Sequence, residues 1–193
     1  MKREIYIAID PGNEQTGWVV ALKDNSKLIY KNKDNNTVLY KKISYFLKNE
    51  NVIKVGIEYP SSYGMPVNQT LLDTCTIIGI LIQICLSNNI KVELIFRKSV
   101  KMFLCNSVRA KDAEVNSRVR EYVGEDYTQK NPNEYYWNQE VEENEGARYC
   151  QNDQYAAIAV LLYMIYPHDI LIKNENEQER NKIAKELQYI YKT

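Results

Sequence analysis

Histidine is nearly missing from this chain: His168 is the single one among 193 residues. A His-dependent catalytic triad has nothing to draw on unless that distant residue serves. The four cysteines, Cys75, Cys85, Cys105 and Cys150, form no Cys-x-x-Cys pair. No Cys/His cluster has zinc-ligand spacing, and with no signal-like N-terminus the thiols read as reduced. Net charge is missing too, since 25 Lys plus Arg balance 25 Asp plus Glu. Bulk charge therefore does not drive nucleic-acid binding, and only a local patch could. The longest apolar stretches, Ile77 to Leu86 and Ala156 to Tyr166, fall short of the ~20 residues that cross a bilayer. A soluble, cytoplasmic protein with no membrane partner is the expectation.

What is there suits one domain, residues 1–167, followed by a charged helical tail over 168–193 with a stripe at Ile183, Leu187 and Ile190. A chain of this length buries roughly 70% of its unfolded surface without a metal or disulfide staple. Apolar or alternating runs at 4–10, 16–23 and about 27–32, separated by Pro11-Gly12 and Asp24-Asn25-Ser26, predict three antiparallel hairpin strands. Leu39, Ile43, Phe46 and Leu47 have helical spacing. Val52 to Ile57 and Lys91 to Phe96 read as buried, parallel strands. A helix from Pro66 to Leu86 is apolar on nearly every face from Ile77 onward, which calls for cover on both sides. Further helices are expected near 98–105, 110–122 and 153–166, with an irregular loop over 124–151. This order predicts an α/β fold: a ribonuclease H-like mixed sheet, antiparallel hairpin strands then parallel strands, flanked by helices.

Three acids stand at element ends. Asp10 closes the first strand before Pro11-Gly12, Glu58 closes the strand Val52 to Ile57, and Asp153 opens the last apolar helix. Singly, each has a plain structural reading as turn former, solvated edge residue or N-cap. Together, at the ends of elements that meet in one sheet, they suit a metal-dependent phosphodiesterase. A phosphodiester repels nucleophiles and has a poor leaving group, and two divalent ions ~3.5–4 Å apart answer both problems. Mg²⁺ prefers carboxylate oxygens. Asp10 would bridge both ions, with Glu58 and Asp153 each holding one.

From Phe96 to Glu121, seven basic residues (Arg97, Lys98, Lys101, Arg109, Lys111, Arg118 and Arg120) stand against three acids (Asp112, Glu114 and Glu121). That excess either tracks phosphates or is a solvated helix face. Trp18, Tyr59 and Tyr63 lie near the acids in sequence; each either stacks on unpaired bases or fills the core.

Ile9-Asp10-Pro11-Gly12 with Thr16-Gly17, Glu58 after Val-Gly-Ile, and Asp153 before Ala156-Ala157-Ile158-Ala159 together resemble RuvC-type Holliday junction resolvases. Tyr63 to Val67, Asp73-Thr74-Cys75, Arg97 to Cys105 and Arg109 to Asp112 are more similar to bacteriophage-encoded RuvC-like proteins. The resemblance covers most of residues 4–166. It implies nicking of branched, four-way DNA with Mg²⁺ or Mn²⁺ by a homodimer, in a bacterial or phage-infected cell. It places Lys111 near the metal site as a catalytic lysine and makes Lys101 a phosphate contact. Arg97, Lys98, Arg109 and Tyr63 are its further candidate DNA contacts. One departure stands out: where the resolvases carry a fourth acid or a histidine, this chain has Cys150. A thiol is a poor Mg²⁺ ligand, and Asp112 is a candidate substitute. Two other readings are weighed against it. An actin-like or sugar-kinase ATPase needs a second glycine-rich phosphate loop and about twice this length. A catalytically inert DNA-binding scaffold keeps the fold without the reaction.

Overall fold

The computed structural model describes residues 2–24, 28–60, 66–123 and 152–166. Tyr63, Cys150, His168, the 124–151 segment and the tail lie outside the described residues. Five strands form one mixed sheet: β1 (Glu4–Asp10), β2 (Gln15–Leu22), β3 (Leu28–Asn35), β4 (Asn51–Tyr59) and β5 (Val92–Phe96), in the order β3-β2-β1-β4-β5. β1 pairs antiparallel with β2, and β2 with β3; β4 runs parallel to both β1 and β5. β1 is thus central, and both its neighbours are fixed by register: Asp10 faces Gly17, and Ile9 faces Ile57.

Strand alternation sends side chains to two cores. Ile5, Ile7, Ile9, Trp18, Val20, Val55 and Ile57 join α1 (Asn36–Asn49) and α2 (Gln69–Ser87) on one face. Ala8, Val19, Ala21 and Ile95 join α3 (Arg97–Cys105), α4 (Asp112–Val123) and α5 (Asn152–Ile165) on the other. The result is a helix–sheet–helix sandwich of three layers.

The helices start and stop for local reasons. Asn68 caps α2 by accepting from the Leu71 N–H at 2.9 Å, so the helix begins after Pro66 rather than at it. Glu114 accepts from the Lys111 N–H at 3.0 Å at the start of α4. α3 ends where Asn106 turns left-handed at φ 51°. α5 is buried along almost its whole described length, from Gln154 to Met164. Two glycines let it lie close to the sheet. A Cβ on Gly56 would sit 2.9 Å from the Met164 sulfur, and one on Gly17 would sit 2.3 Å from the Asp153 carbonyl oxygen.

α2 departs from expectation. Only Ile78, Leu81 and Cys85 are fully buried on it, and Leu72, Ile80 and Leu86 are exposed. The sheet covers one side, and among the described residues nothing covers the other. Its 19 residues are long and apolar enough, by length and composition alone, to cross a membrane. Its seat against α1, β4 and β5 accounts for the buried side.

Trp18 is fully buried and packs against Tyr30 (4.5 Å between ring centroids) and Phe46 (5.7 Å). Its indole donates to Asp34 Oδ2 at 2.9 Å. Stacking on a nucleobase is closed to it. Tyr59 is half-buried against Phe96.

Candidate active site

The carboxyl ends of β1, β4 and β5 lie side by side, the edge at which open α/β sheets bind ligands. Asp10 is the last residue of β1. In the parallel register one step beyond the Ile9–Ile57 pair, Glu58 comes level with it on β4. Tyr59 pairs with Phe96, so Arg97 emerges from β5 immediately beside them. Gly56 faces α5, and Glu58, two residues on, projects to the same face. Gly17, opposite Asp10, lets the start of α5 settle directly over β2, which brings Asp153 to the same edge.

The turn after Asp10 is held by a side-chain clamp. Thr16, fully buried, donates to Asn36 Oδ1 at 2.6 Å and accepts from the Gly12 N–H at 3.3 Å. Asn36 Nδ2 donates to the carbonyls of Gly12 and Asn13, both at 3.0 Å. The turn is therefore fixed from both flanks before any ligand arrives. A cavity of about 290 Å³ opens beside it, lined by the turn from Asp10 to Gln15 together with Lys33 and Asp153.

The acids are not alike in partners. Asp10 has no hydrogen-bond or ion-pair partner among the described residues. Burial, and then the like charge of Glu58, pushes its carboxyl well above the usual range; Arg97 opposes this, and Asp153 and Asp112 add to it. Glu58 is also raised by burial, against the pull of Arg97, whose Nη1 donates to Glu58 Oε2 at 3.1 Å. Arg97 Nη2 reaches Asp112 Oδ1 at 3.0 Å, and Lys101 Nζ lies 3.2 Å from the same oxygen. The hydrogen bond from Arg97 holds the Asp112 carboxyl below its ordinary value. Asp153 Oδ2 pairs with Lys33 Nζ at 2.6 Å.

Among the described residues no three acids form a ready-made ligand cluster. Glu58 and Asp153 are instead each engaged by a cation. The donor set still suits a hard divalent ion. A carboxylate without a hydrogen-bond or ion-pair partner among the described residues sits beside other acids. Its pKa is raised first by burial and then by the like charge of Glu58, and a bound cation would favour its ionised form.

Of the basic candidates, Arg97 and Lys101 turn into this acid cluster, while Lys98 and Arg109 are exposed. Lys111 is exposed and forms no ion pair with the acids among the described residues, although its neighbour Asp112 reaches them. Asp112 is tied to Arg97 and Lys101. Sequence reasoning missed Lys33 and Asn36. The signal for Lys33 was present: Lys31 and Lys33 alternate on the β3 face opposite the one that Tyr30 and Asp34 present to Trp18.

No protein-family model and no curated protein sequence matches the chain. Solved structures do. RuvC of Thermus thermophilus superposes with a TM-score of 0.59 at 15% identity, covering 84% of this chain and 95% of that one. T. thermophilus RuvC in complex with a Holliday junction substrate gives 0.60 at 15%, covering 85% and 94%. The yeast mitochondrial Holliday junction resolvase Ydc2 gives 0.52 at 12%, covering 95% and 86%. The ribonuclease H-like, RuvC-like fold is the common element.

Proposed function

We propose that this protein is a metal-dependent endonuclease that cuts branched DNA, with four-way junctions as its substrate class. The observation that carries the reading is the convergence of Asp10, Glu58 and Asp153 at one sheet edge, in a fold shared with two junction resolvases. One of those neighbours holds a Holliday junction substrate.

Asp10, Glu58 and Asp153 would supply oxygen ligands to Mg²⁺ or Mn²⁺, and Asp112 stands close enough to Glu58, through Arg97, to share that charge. Bound there, a divalent ion supplies the charge that activates water and stabilises the leaving oxygen. The chain's own work is positional. The Thr16–Asn36 clamp fixes the turn that follows Asp10. The exposed Lys98, Arg109 and Lys111 would meet the phosphate backbone, and Lys111 would stabilise charge on the reacting phosphate. The similarity of residues 97–112 to bacteriophage-encoded forms, and a cytoplasmic site of action, belong to the same reading.

A homodimer belongs to the same proposal, and α2 supports it. Its exposed Leu72, Ile80 and Leu86 give an apolar face, and a second copy would present two sites to a two-fold-symmetric junction.

The alternative, an inert DNA-binding scaffold, is favoured by one observation: Glu58 and Asp153 are already paired to Arg97 and Lys33. Incubation of a synthetic four-way junction with Mg²⁺ or Mn²⁺, beside a linear duplex, separates the two. Metal-dependent nicking confined to the junction, abolished by Asp10→Asn with junction binding retained, is the expected result. Tight junction binding with no nicking under either metal would leave the scaffold reading.

A further inference from the structure

The reading of the sheet-edge acids as metal ligands leaves Arg97 unexplained. As a phosphate contact it should reach outward, yet its side chain is only 19% exposed and turns inward. It grips Glu58 with one nitrogen and Asp112 with the other, at 3.1 and 3.0 Å. The first residue past β5 has little freedom to be elsewhere, because Phe96 is locked in register with Tyr59. Guanidinium is charged at every accessible pH and bridges two carboxylates with a planar fork, which suits it to a standing counter-charge.

The cation on the other side is of a different kind. Lys33 meets Asp153 through a single contact between partly exposed groups, 28% and 37%. An ammonium on a flexible stem yields to a competing cation more readily than a bridging guanidinium. Charge counting then limits what the edge accepts. Once Lys33 gives way, Asp10, Glu58 and Asp153 against Arg97 leave two negative charges, and adding Asp112 with Lys101 does not change that. One divalent ion neutralises the cluster. A second would leave it strongly cationic.

Resting on that metal-ligand reading, we propose that Arg97 stands in for one of the two divalent ions expected of such a site. The chain therefore binds one Mg²⁺ or Mn²⁺ per protomer, through Asp10 and Asp153 beside the cavity, displacing Lys33. This narrows that reading at one residue: Glu58 is not a ligand but remains committed to Arg97 and acts through it as a positioning residue.

The test counts Mn²⁺ bound to the full chain without DNA, by the electron paramagnetic resonance signal of the free ion. The expected counts are one ion per chain for the wild type, two for Arg97→Gln and one for the charge-conserving Arg97→Lys. A wild-type count of zero or two overturns the proposal, as does one ion in both wild type and Arg97→Gln. Should Arg97→Gln fail to fold by circular dichroism, Asp153→Asn and Glu58→Gln decide. Asp153→Asn is expected to weaken Mn²⁺ affinity at least ten-fold and Glu58→Gln less than three-fold; equal losses overturn it. Cleavage enters none of these counts. A chain that binds one ion as described but nicks no junction ends the nuclease reading alone, and one that nicks while binding two ions ends this proposal alone.

Discussion

Gly17 lies directly beneath the first turn of α5, so that a Cβ at position 17 would stand 2.3 Å from the Asp153 carbonyl oxygen and 2.8 Å from the Asp153 Cβ. The obstructing atoms belong mostly to backbone, which cannot swing aside as a side-chain tip would.

Gly17→Ala should therefore lift the start of α5 and carry Asp153 with it. Overpacking of this kind costs ~1–3 kcal/mol. Metal-dependent nicking should fall more than ten-fold under conditions where circular dichroism shows a native fold, since small misplacements at a site are costly. Unchanged nicking in a folded Gly17→Ala chain would mean that Asp153 has no part in the site.

Asp10 is the acid whose ionisation the fold opposes. Its folded pKa lies well above the unfolded value, so in the window between the two the native state holds a proton that the unfolded chain has released. Stability contributed by that proton is present at low pH and lost as pH rises through the folded value. In EDTA, Asp10→Asn should exceed the wild type in the free energy of urea unfolding at pH 8, by ~1–2 kcal/mol, and the gap should narrow as the pH falls. Adding Mn²⁺ should stabilise the wild type but not the variant. A gap that does not vary with pH would contradict the buried, like-charged environment.

The Asp34–Lys42 pair is a buried support for the strand that carries Lys33. Lys42 Nζ donates to both Asp34 oxygens at 2.9 and 3.0 Å and to the Tyr30 hydroxyl at 2.9 Å, with 7% and 2% of the two charged side chains exposed. Lys42→Met would leave the Asp34 carboxylate with only the neutral donors Trp18 and Asn32. Removing one partner of a buried pair costs ~3–5 kcal/mol. Chemical denaturation measures it, and a loss under ~1 kcal/mol would show that Asp34 is relaxed by water instead.

Lys111 is exposed and makes no ion pair with the acids among the described residues. If it serves the reacting phosphate, Lys111→Ala should slow single-turnover nicking more than ten-fold while changing junction Kd less than three-fold. Equal losses in both would reduce it to a backbone contact.

The elements were largely readable because periodicity reports burial. The runs at 4–10 and 52–57 became β1 and β4, and Leu39, Ile43, Phe46 and Leu47 line the buried face of α1. β3 was read too short. Its last residues, Lys33, Asp34 and Asn35, look like a loop by composition, but pairing with β2 carries the strand through them to Asn35. Lys33 meets Asp153 because β3 extends that far, so the alternation of Lys31 and Lys33 becomes informative only once the strand is carried to Asn35. Similarly, a charged run at 97–112 reads as surface, and nothing along the chain tells that Arg97 turns inward.

Sequence alone determined where most strands and helices lie, though not every boundary, because hydrophobic spacing and turn chemistry act between near neighbours. It thereby determined that Asp10, Glu58 and Asp153 occupy element ends. Only the tertiary structure decided what those ends meet. Register between β1, β4 and β5 put Arg97 against Glu58, and the absent Cβ of Gly17 set the height of Asp153. Charge interactions fall off over a few ångströms in space, and distance along the chain carries no trace of them.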